Sequence, residues 1–276
     1  MSAAKLLSVI VTTYNREDAL AACLRSLAHQ TDRDFEIIIA NDGSRPDTAR
    51  VVERFADLLP MPLKHVRHEH KGFRGGEIRN RGIDASRGDL CIFLDGDCLA
   101  RGDFIAAHRR LAEPGWFVTG NRILLSRELT ASVLGDDVVA EAWSFTRLVS
   151  ERLRGGVNRL LPTVSLPLGG LRKLQPAAWR GAQTCNLAVR RADLDRIDGF
   201  DCAYTGWGLE DSDLVIRLIH AGVRRKDGRF ATGVLHLWHP QNDRSQLAAN
   251  RQRLDEVLHS DRVRALRGLS SRGIER

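Results

Sequence analysis

The chain has 276 residues, 43% hydrophobic and 28% charged, with a formal net charge of +7 at pH 7. That length and balance are ordinary for a soluble globular protein and suit one large domain or two lobes built around a substantial core. No apolar run approaches the length a membrane-crossing helix needs. From the N-terminus, Leu7-Ser8-Val9-Ile10-Val11-Thr12 is a β-rich run. Asn15 follows as a candidate helix cap, with Leu20, Cys23, Leu24 and Leu27 at helical spacing behind it. Phe35 to Ala40 reads as a second strand closed by the turn sequence Asn41-Asp42-Gly43-Ser44. Pro46 opens a helix with Val51, Val52 and Phe55 on its apolar side, and Leu63 to Val66 is a short third strand. A loop with Gly72, Gly75 and Gly76 precedes a helical stretch to Ala85, and Leu90 to Leu94 is the fourth strand. Strands alternating with helices imply an α/β fold with a parallel sheet and right-handed crossovers.

After about Gly120 the pattern loosens. Residues 121–180 read as an insertion, with a helical stretch from Val138 to Leu153 and an irregular Leu-, Pro- and Gly-rich stretch from Gly155 to Pro176. Gln183 to Val189 is a strand candidate, Leu209 to Ala221 a helix stopped by Gly222, and Phe230 to His239 an extended segment. The organisation expected is a nucleotide-binding half at 1–120, an acceptor-binding and catalytic half at 121–240, and a basic helical tail at 241–276.

Arginine carries nearly all the positive charge, since lysine occurs only at Lys5, Lys64, Lys71, Lys173 and Lys226. Such a surface attracts phosphate, whether in a nucleotide, a nucleic acid or an anionic bilayer, unless it only reflects an arginine-rich proteome. The five cysteines (Cys23, Cys91, Cys98, Cys185, Cys202) show no metal or redox spacing and suit a reducing cytoplasm. Met1 to Leu7 leads straight into a strand pattern, so no signal peptide is expected.

The chemistry-bearing residues begin with Asp95-Gly96-Asp97. Two carboxylates leaving the carboxyl end of a buried strand suit a divalent cation that also grips phosphate oxygens, although many such pairs are only turns. Thr12-Thr13-Tyr14 and Asp42 end neighbouring strands at the same edge, where a nucleobase or ribose could be held, or an Asx-turn made. Arg79 suits a diphosphate, with a solvated basic helix as the plain alternative. Trp207-Gly208-Leu209-Glu210-Asp211-Ser212-Asp213 puts acids at a helix start, where the partial positive charge favours the ionised form and a general base can be held. Trp207 offers a ring for stacking on a sugar. Of His236 and His239 at least one is a candidate metal ligand, with a buried structural His as the plain alternative, and imidazole beside carboxylate suits Mn²⁺ over Mg²⁺. In an extended segment the two rings point to opposite faces, so a turn is needed to bring both to one metal.

These motifs together resemble the family 2 glycosyltransferases of GT-A fold, a Rossmann-like, mostly parallel sheet flanked by helices with an acceptor-site subregion. The resemblance rests on Ser8 to Asn15, Asn41 to Ser44, Arg79-Asn80-Arg81-Gly82 and Asp95-Gly96-Asp97. The stretch from Gly199-Phe200-Asp201 through Tyr204 to Asp213 is similar to bacterial chondroitin-polymerase-type enzymes and to animal β-1,4-galactosyltransferases. It does not extend to 121–180 or the tail. The resemblance implies a UDP-sugar donor, with Thr12, Tyr14 and Asp42 on uridine, Arg79 near the diphosphate, and Asn186 lining the donor pocket. It implies Asp97 as main metal ligand, Asp95 on metal or ribose, and His239 with His236 completing the set. Asp211 would be the catalytic base, Glu210 would grip a sugar, and Trp207 with Tyr204 would form the acceptor site.

The reaction so implied is an inverting transfer of a hexose or N-acetylhexosamine to a glycan or lipid-linked saccharide, as in bacterial surface polysaccharide synthesis. A nucleotidyltransferase and a non-catalytic nucleotide- or nucleic-acid-binding protein are the competing readings. No clustered aromatic–basic motif supports nucleic acid, and none is expected as a partner. The Arg and Leu content of 121–180 and of the tail suits peripheral contact with an anionic membrane on its cytoplasmic face. A solvated helical tail is the alternative.

Overall fold

The computed structural model describes residues 6–136 and 138–271, so the first residues of the Met1–Leu7 lead and the end of the 241–276 tail lie outside it. The first third of the chain is β1 (Leu7–Thr13), α1 (Glu17–Ala28), β2 (Phe35–Asn41), α2 (Pro46–Leu58), β3 (Leu63–Arg67), α3 (Gly75–Ala85) and β4 (Leu90–Asp95). Then come β5 (Cys98–Ala100), α4 (Phe104–Leu111), β6 (Trp116–Thr119), β7 (Arg122–Leu124), α5 (Arg127–Gly135) and α6 (Phe145–Leu153). The rest is β8 (Asn186–Arg190), α7 (Arg191–Arg196), α8 (Glu210–His220), β9 (Arg224–Asp227), β10 (Val234–His236) and α9 (Leu247–Leu258).

Seven strands form one sheet in the order β3-β2-β1-β4-β8-β6-β9, and β5-β10-β7 form a small second sheet. The left part is parallel, as its strand–helix alternation requires. β8 runs antiparallel to β4 and β6, so strands from both halves of the chain share one sheet. Side-chain alternation splits each central strand between two cores. Val9, Val11, Ile37, Ile39, Ile92 and Leu94 face one side, packed under α1. Ile10, Ile38, Phe93 and Leu187 face the other, against Ile78 and Ile83 of α3 and Leu214, Val215 and Leu218 of α8. Both faces are covered, which is why these strands are apolar throughout.

Three local expectations are corrected. Asn15 is not a helix cap: it sits at φ 48°, its side chain accepts from the Arg45 amide at 2.9 Å, and α1 starts two residues later. Val138 to Leu153 is not one helix. A 3₁₀ turn at Ala140–Ala142 ends there, and Ser144 starts α6 afresh by accepting from the Arg147 amide at 3.2 Å. Within Phe230 to His239 only Val234–His236 is strand, and the chain turns away after it.

The tail keeps a solvated outer face but is not apart from the rest of the chain. Leu254 and Val257 of α9 pack on Ile216 of α8. Fully buried Asn250 donates through its amide to the carbonyls of Thr205 and Gly208, 3.0 Å each, on either side of Trp207. Farther on, Asp201 accepts from the Leu266 amide at 2.9 Å, and Asp198 from that of Ser270 at 2.8 Å. The tail therefore straps the loop that leads into α8.

Candidate active site

The site lies at the carboxyl ends of β1, β2 and β4, where an α/β sheet leaves its crevice. A cleft of about 670 Å³ is lined there by Thr12, Tyr14, Asp42, Asp95, Asp97, Asp211 and His239, among others. Asp95 ends β4, and Gly96 turns the chain directly into β5. A Cβ at Gly96 would stand 3.0 Å from the Thr12 carbonyl, so a larger residue would crowd the end of β1. β5 then pairs antiparallel with β10, and His236 lies opposite Cys98. That register brings His236 Nε2 to 3.5 Å from one oxygen of Asp97. The turn after β10 brings His239 Nε2 to 3.6 Å from the other oxygen. The two rings lie 5.3 Å apart, so the turn required for convergence exists.

Burial pushes the Asp97 carboxyl above the usual carboxylate range, with the two imidazoles pulling the other way. A desolvated carboxylate between two imidazoles is a donor set that fits a borderline divalent cation. The Cys98 thiol, 3.9 Å from Asp97, adds a softer neighbour that the sequence did not flag.

At the ends of β1 and β2, Tyr14 is exposed and its ring stacks on His70 at 4.8 Å. Asp42 is buried, with one oxygen against His68 Nε2 and the other accepting from the Arg74 amide at 3.1 Å. The buried hydroxyl of Thr12 has no hydrogen-bond partner among the described residues. An unsatisfied buried hydroxyl at a cleft wall is a ready contact for a ligand.

Arg79 lines the cleft but is already engaged. Its guanidinium is buried and bridges Asp95 at 3.3 Å and Glu210 at 3.1 Å, with the Phe200 ring beneath it. It is a strut between the two halves of the cleft, and it occupies both Asp95 and Glu210. Among the described residues Arg122 has no carboxylate within ion-pair distance, and it too lines the cleft. Nothing in the sequence marked Arg122, which falls inside the supposed insertion.

Leu209 is held in the left-handed region at φ 76° after Gly208 at φ 109°, and this turn starts α8 at Glu210. Asp211 lines the cleft with its carboxyl pushed up to about 7 by burial and by Glu210, against the pull of Arg79. The helix N-terminus was expected to keep this group ionised; desolvation and a like charge outweigh it. Asp213 turns away into a buried pair with Arg217 at 2.7 Å. Trp207 lines the cleft with the Arg244 guanidinium 5.1 Å from its ring centre.

Two expected residues do not reach the cleft. Asn186 is buried in β8, where its oxygen accepts from His108 at 3.1 Å and its amide donates to the carbonyls of Asn121 and Thr232. It clasps strands together. Tyr204 is buried, its hydroxyl 3.5 Å from Asp213. Both were implied by the family resemblance of their segments; in this structure their side chains are turned into the fold.

The family model for glycosyl transferase family 2 matches residues 8–154, and that for the N-terminal domain of galactosyltransferase matches 174–240. Validoxylamine A glucosyltransferase of Streptomyces hygroscopicus subsp. limoneus is 31% identical over 245 residues, covering 83% of this chain and 51% of that protein. Hyaluronan synthase of Pasteurella multocida is 35% identical over 227 residues, covering 78% of this chain and 23% of the relative. Chondroitin synthase of Escherichia coli is 26% identical, over 78% and 32%. The chain thus spans about half the length of the first of these relatives and less of the others. Among solved structures, S. aureus TarS 1-349 in complex with UDP-GlcNAc has a TM-score of 0.63 at 16% identity, covering 92% of this chain and 67% of that one. The mannosyltransferase PcManGT from Pyrobaculum calidifontis, in complex with GDP-Man and Mn²⁺, has 0.59 at 19%, covering 86% and 57%. Both likenesses are to the fold.

Proposed function

This chain belongs to the family 2 glycosyltransferases, and on that premise we propose that it is a metal-dependent, inverting transferase. It moves a hexose or N-acetylhexosamine from a UDP-sugar to a hydroxyl of a glycan or lipid-linked saccharide, in the making of a bacterial surface polysaccharide. The observation that carries the proposal is the convergence of Tyr14, Asp42, Asp97, His239 and Asp211 on one cleft. Those residues come from strands and loops far apart in the chain. The solved neighbours, with UDP-GlcNAc in one and GDP-Man with Mn²⁺ in the other, support a nucleotide-sugar and a divalent cation as the ligand class.

Asp97 and His239 would hold the cation, with His236 and Asp95 beside them. A divalent cation there supplies charge neutralisation for a departing diphosphate. The chain's own residues do the rest. Tyr14 and Asp42 hold the nucleoside, and Arg122 meets the diphosphate. Trp207 forms a wall for the acceptor sugar. Asp211, in its anionic form, takes the proton of the acceptor hydroxyl as that oxygen bonds to the anomeric carbon. The bond from that carbon to the diphosphate oxygen breaks on the opposite side, so configuration inverts.

The test is nucleotide release from a panel of UDP-sugars and GDP-mannose with Mn²⁺. Release of UDP, with transfer to an added saccharide, is expected. Release of pyrophosphate would instead make this a nucleotidyltransferase, and tight UDP binding with no turnover would make it a binding subunit. A paired variant separates the two arginines. Arg122→Gln is expected to weaken UDP binding about ten- to a hundredfold, the worth of a charge-assisted hydrogen bond. Arg79→Gln leaves Asp95 and Glu210 without their cation and should cost about 3–5 kcal/mol in a denaturant titration.

A further inference from the structure

Among the described residues, twelve large hydrophobic side chains are exposed, and half of them fall between residues 145 and 174. They are Phe145, Leu153, Leu161, Leu166, Leu171 and Leu174, with Leu153 84% and Leu174 73% exposed. Scattered apolar residues need no explanation, but a cluster of this density does. The same stretch, extended to Arg180, carries one acid, Glu151, paired with Arg147 at 2.7 Å, and seven cations, of which Arg172 is buried and Lys173 is paired with Glu113 at 2.7 Å; Arg147, Arg152, Arg154, Arg159 and Arg180 are exposed.

The exposed leucines are not a by-product of a loose loop. Arg172 is buried at its centre, and its guanidinium donates to the carbonyls of Leu166, Asp227, Arg229 and Phe230. Arg225 holds the following turn through the carbonyls of Ala178 and Arg180, at 3.1 and 2.8 Å. The backbone is thus fixed from inside while the leucines stay in water. No helix of the described residues is long and apolar enough to cross a membrane. Exposed leucines and arginines following one another along a single surface stretch suit a bilayer surface, with the apolar tips in the acyl boundary and the guanidinium groups at anionic headgroups.

We propose that residues 145–180 form a docking surface for an anionic phospholipid bilayer. Charge complementarity selects this occupant. A second copy of the chain would set this cationic face against itself in a twofold contact. Nucleic acid would answer the arginines but leave the leucines unused. The tail is not part of the surface, because it is committed to the loop before α8. The stretch runs directly into Gly181 to Cys185, a wall of the cleft, so a docked protein would hold its active site next to the headgroups. That consequence rests on the transferase reading; the docking itself does not.

The test is flotation of the full chain with large vesicles of phosphatidylcholine alone or with about 30 mol% phosphatidylglycerol. Binding to the anionic vesicles is expected in low salt, falling steeply by about 0.5 M salt, with little binding to the neutral ones. The triple variant Leu161→Ser, Leu171→Ser, Leu174→Ser should lose about tenfold or more of that affinity, because stable attachment needs both signals. Arg152→Glu with Arg180→Glu should lose a similar factor. Both variants touch only exposed side chains, and unchanged UDP binding would show that they fold. The proposal is overturned if the wild type does not bind anionic vesicles. It is equally overturned if the leucine variant binds as well as wild type, or if the leucines prove instead to drive self-association in sedimentation. UDP turnover is measured on soluble substrate in parallel, so failure of the transferase reading would be seen separately.

Discussion

Asp211→Asn is expected to lower glycosyl transfer by about 10²- to 10⁴-fold, the usual worth of a positioned general base, while UDP and Mn²⁺ still bind. The substitution keeps shape and removes the acceptor for the proton. The wild-type profile should carry the same signature. Asp211 is pushed up to about 7, by burial first and by Glu210 next. Below that pH the carboxyl is protonated and cannot take the hydroxyl proton. Acceptor kcat/KM should therefore rise with pH through about 7 and then level, and the limb should vanish from the residual activity of the variant. Stability runs in the opposite direction. The folded protein holds this proton at pH values where the unfolded chain has released it, so raising the pH from the ordinary carboxylate range to about 7 progressively costs stability. Asn has no such proton. The thermal midpoint of the variant, relative to wild type, should climb over that window and then flatten. Full transfer by Asp211→Asn, or a flat wild-type profile from acid to neutral pH, would remove Asp211 from the base role.

The parts of the fold legible in the sequence are those with long unbroken patterns. β1, β2 and β4 are apolar runs because both their faces are covered, and the spacing of Leu20, Cys23, Leu24 and Leu27 marks a helix. β5, β7 and β10, at three residues each, are too short to show any period, yet their pairing is what carries His236 to Asp97. The candidate site divides in the same way. Asp97, Asp211 and His239 reach one cleft, as strand ends and helix starts tend to. Arg79 was read as a diphosphate ligand or part of a solvated basic helix; a sequence cannot show that Asp95 and Glu210 already flank it at the cleft. Asn186 follows the cleft residue Cys185 and Tyr204 precedes Trp207 by three, but both side chains are turned into the fold, onto His108 and Thr232 for Asn186 and towards Asp213 for Tyr204. Arg122 went unseen because its neighbourhood looked like an insertion without pattern.

Asp97→Asn is expected to weaken Mn²⁺ binding in the presence of UDP by more than about a hundredfold, a loss larger than that of a supporting contact to a ligand. Activity should fall with it. The argument is geometric: each oxygen of Asp97 faces a different imidazole, so no other carboxylate can take its position between His236 and His239. Asp95 is held by Arg79, so Asp95→Asn should affect the metal less and the joint between the cleft's halves more. The histidines should also differ. His239 is a third exposed and lines the cleft, whereas His236 is buried in β10, where desolvation holds its pKa down and favours the neutral ring. His239→Ala should cost most of the affinity, and His236→Ala should cost less affinity but loosen the β5–β10 pair. Calorimetric titration of Mn²⁺ into each UDP-loaded variant reads the order directly. Acid should imitate Asp97→Asn in the wild type, because a cation competes with protons for the same carboxylate and imidazoles. Retention of Mn²⁺ affinity by Asp97→Asn would show that the two histidines and Asp97 are joined for structure alone.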